Sequence, residues 1–179
     1  VEGEQYAEAQ VVLERAFARK GVSADREQEV PFLNSLVVAY LKLCLREIKK
    51  GDRGRAGAYL EQAMVGCRRV LAVREDAYAY LYLGYAMDMQ DRAAEAAAAF
   101  YQSLQLQTER PTMIGTYSHL AHSLEKMGEL GLAANALEEG AMRVSSVELY
   151  EELAALYERS GALEKARMAR AAAAAVRAD

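Results

Sequence analysis

The sequence predicts an all-α fold, an α-solenoid of helix-turn-helix repeats, and three observations predict it. Apolar residues recur at i, i+3, i+4 and i+7 through most of the chain, and only 2 prolines interrupt its 179 residues. That period gives each helix one apolar face. Four segments carry a small residue followed by alanine 12 positions later: Cys44 and Ala56, Gly84 and Ala96, Ala121 and Ala133, Ala154 and Ala166. Between the members of each pair, at one fixed position, stand Gly51, Asp91, Gly128 and Gly161. Glycine and aspartate tolerate the backbone that ends a helix. Small residues on both helices let the paired backbones approach closely.

The elements follow in order. Residues 1–20 predict the second helix of a partial repeat, carrying Tyr6, Ala9, Leu13 and Ala16. Residues 21–31 form a linker; repeats follow at 32–75, 76–110 and 111–146, and residues 147–179 hold a fourth repeat with its C-terminal capping helix. Pro31 and Pro111 each open a helix, where a proline costs no hydrogen bond. Asp76 is placed as an N-cap. Ser145 and Glu148 have the spacing of a capping box. Second alanines are 40, 37 and 33 residues apart. The extra residues fall near 70–75 and 108–112, so longer second helices or longer loops are expected there. Four residues past the second alanine stand Leu60, Phe100 and Leu137, but Arg170 in the last copy. With Lys165, Arg167 and Arg177, this marks residues 162–178 as a closing helix with a polar outer face.

Composition narrows the function. The chain is 53% hydrophobic with a net charge of -4. A mildly acidic chain is a poor match for nucleic acid or an anionic membrane. No run approaches the roughly 18 apolar residues of a membrane helix. No signal peptide is visible and a cytoplasmic setting is expected, although the chain begins at Val1 and a removed leader is compatible with it. Cys44 and Cys67 stand apart from any CxxC pattern and read as small core residues.

Little in the chain suggests chemistry. His119, His122 and Glu125, at i, i+3 and i+6, are the strongest metal candidate, but a second ligand cluster is lacking. Gly51, Gly54 and Gly57 have a phosphate-loop spacing, yet residues 36–49 before them read as a helix rather than the required strand. No serine or cysteine has a nucleophile elbow or partner motif. The expectation is a protein without catalytic activity, cofactor or metal.

In the clearest copy, Tyr80, Leu83 and Gly84 are followed by Ala96 and Phe100, and Tyr40, Tyr117 and Tyr150 stand where Tyr80 does in the other copies. This pattern resembles the tetratricopeptide repeat, whose period is about 34 residues. The resemblance is strong over 77–110, fair over 114–179 and weaker over 37–70. It implies a right-handed superhelix whose first helices line a concave groove holding an extended or helical segment of a partner protein. The implied groove residues are Lys42, Leu45 and Lys49 from the first repeat, with Val38 and Leu41, and Tyr78, Leu81, Tyr82, Tyr85 and Met89 from the second, with Asp88. His119 and His122 come from the third, with Ser118, Glu125 and Lys126. Glu151 and Glu152 come from the fourth, with Glu148, Ala155, Glu158 and Arg159. Four of the 11 tyrosines fall between Tyr78 and Tyr85, a residue type favoured at binding hot spots. The lysine, asparagine and arginine clamp of chaperone-tail receptors is missing. Alternatives are a bacterial secretion-type chaperone and a structural subunit of a larger assembly. The partial repeat, with Leu13 and Phe17, also predicts either self-association through the N-terminal helix or cover from residues upstream of Val1, because a repeat cannot bury its apolar face alone.

Overall fold

The computed structural model describes residues 26–178, together with Val11 and Arg15. Among the described residues all regular structure is helical: a short 3-10 turn at Arg26–Glu29, then α1 (Val30–Lys50), α2 (Arg53–Leu71), α3 (Ala77–Asp88), α4 (Ala93–Leu106), α5 (Arg110–Lys126), α6 (Leu130–Val144), α7 (Val147–Arg159) and α8 (Leu163–Ala178). The chain divides after Ala86 into two compact units, Val1–Ala86 and Met87–Asp179. Apart from Val11 and Arg15, the residues assigned from sequence to the partial repeat, Leu13 and Phe17 among them, and to most of the linker lie outside the described residues.

One backbone device closes all four hairpins. Gly51, Gly128 and Gly161 have φ of 81, 79 and 77°, and Asp91 has φ 57°. The left-handed region admits glycine freely and aspartate at modest cost. In each hairpin the next residue donates its backbone N–H to a carbonyl five residues back: Asp52 to Glu47, Arg92 to Met87 and Glu129 to Leu124 at 3.0 Å, and Ala162 to Tyr157 at 2.8 Å. This Schellman bond satisfies a carbonyl that the helix end would otherwise orphan. Gly51 is thus a helix cap, and Gly54 and Gly57 lie inside α2, so the glycine series forms no phosphate cradle.

Helix starts are set by side chains. The Asp76 carboxylate accepts from the N–H groups of Tyr78 at 3.1 Å and Ala79 at 3.0 Å. Asp52 accepts from Arg55 N–H at 3.0 Å and so starts α2. Both prolines stand in the first turn of their helices. The cap of α7 corrects the sequence expectation by one residue. Ser146, not Ser145, accepts from the Leu149 N–H, at 3.2 Å. Ser145 is spent closing α6, in the left-handed region at φ 46°. Its side chain cannot reach the start of α7 from there.

The extra residues of the longer repeats are helical. In the first repeat they lengthen the second helix, since α2 has 19 residues against 14 in α4 and 15 in α6. In the third they lengthen the first helix, since α5 has 17 residues against 12 in α3 and 13 in α7.

Burial follows the small-residue pattern. Cys44, Ala56, Ala96, Ala121, Ala133, Ala154 and Ala166 are all buried, as is Gly84. In the first unit α1 lies against α2, and Val30, Leu33 and Val70 form a core cluster with Ala79 of α3. The Tyr40 and Tyr59 rings meet at 6.3 Å. Tyr40 and Tyr117 are buried, whereas Tyr80 and Tyr150 are half-buried. In the second unit Phe100, Leu104, Tyr117, Leu137, Leu149 and Leu156 are the large buried side chains. The Tyr117 hydroxyl donates to Glu139 Oε1 at 2.8 Å.

Two interior helix glycines let neighbours approach closely. A Cβ on Gly66 would lie 2.5 Å from Val37 Cγ2. One on Gly140 would lie 2.5 Å from Tyr117 Cγ, 2.7 Å from its Cδ2 and 2.9 Å from Leu149 Cδ1. Helix propensity favours alanine over glycine by about 1 kcal/mol, but overpacking a close contact costs about 1–3 kcal/mol. Packing therefore outweighs propensity at position 140. Gly131, on the same helix with nothing near its Cβ position, follows propensity alone. Thermal melts are expected to show a lower midpoint for Gly140→Ala and an unchanged or higher one for Gly131→Ala.

Candidate functional site

Within the second unit, three helices of the same kind contribute to one cleft of about 370 Å³. Asp88 comes from the end of α3. Ser118, His119, His122 and Glu125 come from α5, and Glu152, Ala155 and Arg159 from α7. Leu137 of α6 completes the lining. The α5 residues stand at i, i+1, i+4 and i+7, and the α7 residues at i, i+3 and i+7. Each set therefore occupies one side of its helix.

Two ion pairs border this cleft in equivalent places. Lys126 Nζ donates to Asp88 Oδ1 at 2.8 Å, and Arg159 Nη2 to Glu125 Oε2 at 2.6 Å. Each acid stands four residues past its small anchor, Gly84 or Ala121. Each cation stands five past the anchor of the following repeat, Ala121 or Ala154. Asp91 Oδ1 lies 3.7 Å from Lys126 as well. Hydrogen bonding to Asp88 raises the ammonium pKa above its ordinary value.

The His119 ring stacks on Phe100, with centroids 5.6 Å apart and planes 26° from parallel. Burial pushes its pKa below the ordinary histidine value; Asp88 opposes that shift and His122 reinforces it. His122 and Glu152 are exposed, and the Glu152 carboxylate has no ion pair among the described residues. With His119 neutral, Asp88 held by Lys126 and Glu125 held by Arg159, Glu152 gives the rim an uncompensated negative charge. The wall can accept a cation or an N–H group and offers Ala155 and Leu137 as apolar contact. Among the described residues no group of three His, Cys, Asp or Glu is placed to hold a metal ion. The His119–His122–Glu125 spacing is broken by its surroundings, one ring stacked on Phe100 and the acid turned to Arg159.

The other residues expected in a groove are placed as follows. In the first unit, α3 carries a ladder of half-buried tyrosines. Tyr78 stacks on Tyr82 at 6.1 Å, and Tyr82 meets Tyr85 at 6.5 Å. Burial raises the pKa of both Tyr82 and Tyr85 phenols. Lys42, Leu45 and Lys49 lie exposed on α1, at i, i+3 and i+7. Met89, in the second unit, is half-buried. Two expectations need correction. Leu81 and Leu41 are only 5% and 7% exposed, so they pack within the fold and offer no contact surface. The apolar neighbours of Leu81 along α3 masked the boundary between core and outer face. Glu151 pairs with Arg177 of α8 at 2.7 Å and does not line the cleft with Glu152. Successive helical residues point about 100° apart, so one of these two glutamates had to face elsewhere. The Phe100 stack and the Leu137 lining were invisible in the sequence, because both come from second helices.

No protein-family model matches the chain. No curated protein matches it. Solved structures do. The chain is similar to a kinesin light chain from Podosopora anserina with nearly identical TPR-like repeats, at 19% identity and a TM-score of 0.65, over 99% of this chain and 89% of that one. It is similar to MamA, at 20% identity and a TM-score of 0.56, over 89% of this chain and 92% of MamA. A third similar structure is the Cut9–Hcn1 hetero-tetramer of APC/C, at 18% identity and a TM-score of 0.56, covering 90% of this chain and 32% of that one. The chain has the tetratricopeptide-repeat fold, an α-solenoid of helical hairpins. Among the described residues no helix is long and apolar enough to cross a membrane.

The depressed His119 pKa has a pH consequence. The unfolded chain takes up this proton near pH 6.5, while the folded chain resists it until a lower pH. The unfolded state therefore binds more protons in that window, and stability falls as pH drops below about 6.5. By NMR, His119 is expected to titrate below the free-histidine value. In urea melts, His119→Phe is expected to lose less stability between about pH 7 and 5 than the wild type does.

Proposed function

We propose that this chain is a non-catalytic protein-interaction scaffold that holds a segment of a partner protein on its first helices. The observation that carries this reading is the cleft itself: residues at corresponding positions of three successive first helices line one depression. Its chemistry favours a segment that places a basic or amide-bearing side chain against Glu152 and an aliphatic one against Ala155. The α3 tyrosines supply a further contact surface of large, amphipathic rings, of the kind that dominates binding energy at interfaces. The similarity to the Cut9–Hcn1 hetero-tetramer supports a permanent subunit as the alternative reading, with the same surface buried in an assembly.

The test is selection of binding segments from a peptide library on the purified chain, followed by calorimetry. Selected segments are expected to be enriched in lysine, arginine and aliphatic residues. Ala155→Trp, which fills the cleft, is expected to weaken them at least tenfold with helicity retained. Tyr82→Ala with Tyr85→Ala is expected to cost about 2 kcal/mol or more of binding, the usual loss at a tyrosine hot spot. Unchanged affinity in both folded variants would refute the reading.

A further inference from the structure

The second unit has another cleft, of about 530 Å³, that shares no residue with the one around His119. It forms where the end of α4, the start of α5 and the end of α6 meet. Its lining includes Gln107, Thr108, Arg110, Arg143 and Ser145. Gln107 ends α4 in an extended conformation, φ -73° and ψ 135°. Its side chain is 4% exposed, yet the amide Nε2 has no hydrogen-bond partner. A buried donor left unpaired is unfavourable, which marks this one as a group a ligand would complete.

Two guanidinium groups stand on the same lining. Arg110 Nη2 donates to the Ser145 carbonyl at 2.9 Å. Arg143 Nη1 donates to the Leu104 carbonyl at 3.2 Å and to the Tyr117 hydroxyl at 3.3 Å. Neither arginine has a carboxylate within ion-pair distance among the described residues. These bonds orient each fork and leave its other N–H groups to donate. The start of α5 adds to the positive potential, since no side chain caps its first turn.

Two acids set the limit on charge. Glu148 lies close enough to Arg110 to feel it, and Glu139 accepts from the Tyr117 hydroxyl that Arg143 also touches. They offset part of the positive charge, so a monoanion suits the cleft better than a dianion. We propose that this cleft binds a carboxylate, received by the forks of Arg110 and Arg143 and the Gln107 amide, and supplied by an aspartate or glutamate of a partner protein. Planar guanidinium matches a planar carboxylate in geometry. The site stands on its own geometry; only the source of the carboxylate rests on the protein-binding reading above.

The experiment is an NMR titration of the 15N-labelled full chain at pH 7 and constant ionic strength. The probes are glutarate, inorganic phosphate and a five-residue peptide with one central glutamate and blocked ends. Saturable shifts of the Gln107 side-chain NH2 and the Arg110 and Arg143 Nε signals are expected with glutarate and more tightly with the peptide, and weaker ones with phosphate. Gln107→Met is expected to abolish the response while raising the melting temperature, because it removes the unpaired donor. Arg110→Gln is expected to weaken the response severalfold, and Glu152→Lys, in the other cleft, to leave it intact. Absence of saturable shifts, tighter binding of phosphate, tighter binding of glutarate than of the peptide, or a response that survives Gln107→Met would overturn the assignment. If neither Ala155→Trp nor Tyr82→Ala with Tyr85→Ala weakens library peptides while these shifts are seen, the groove reading fails and this site stands.

Discussion

The structure depends on how closely two helices of a hairpin can approach. Large side chains at the crossing would hold the backbones apart and empty the core. Cys44 with Ala56, Ala121 with Ala133 and Ala154 with Ala166, all buried, keep that crossing thin within their units. The left-handed turn residue is the second half of the same constraint. It reverses the chain within about one helical turn, so the second helix starts already beside the first. Gly66 and Gly140 carry the economy further, to contacts that a methyl group would not survive.

Because the hairpins of the second unit are pinned this way, its first-helix side chains at corresponding positions repeat in space as they repeat in sequence. That is how Ser118, His119, His122 and Glu125 come to share a lining with Glu152, Ala155 and Arg159. No strand, glycine loop or catalytic constellation is required to build such a site. The fold supplies a surface, and side-chain chemistry makes it selective.

The fold was legible from the sequence because its causes are local and periodic: helical spacing, small residues at fixed intervals and turn residues between them. Half of the site was legible for the same reason. The remainder depends on orientation and on neighbours distant in sequence. The sequence could not say which of Glu151 and Glu152 would face the cleft, since Arg177 decides it from another helix. Leu81 looked like surface because α3 is apolar nearly all round, and helical period carries little information on such a helix. The cap of α7 slipped from Ser145 to Ser146 because two adjacent serines offer the same chemistry, and only the left-handed turn of the first one chooses between them. The carboxylate cleft rests on Gln107, whose burial no composition or spacing reveals.

The two equivalent ion pairs, Lys126 with Asp88 and Arg159 with Glu125, add little stability, since partly exposed pairs are worth about 0–1 kcal/mol each. Their value lies in direction. In the second unit α5 offers an acid, Glu125, forward and a cation, Lys126, backward, so the charges read out which hairpin precedes which. At the corresponding acid position of the last hairpin, Glu158 finds Arg170 of the closing helix instead, and the series is ended from within the chain. A hairpin spliced into the second unit after α6 would therefore meet a coded neighbour on each side, the acid of α5 before it and the cation of α7 after it.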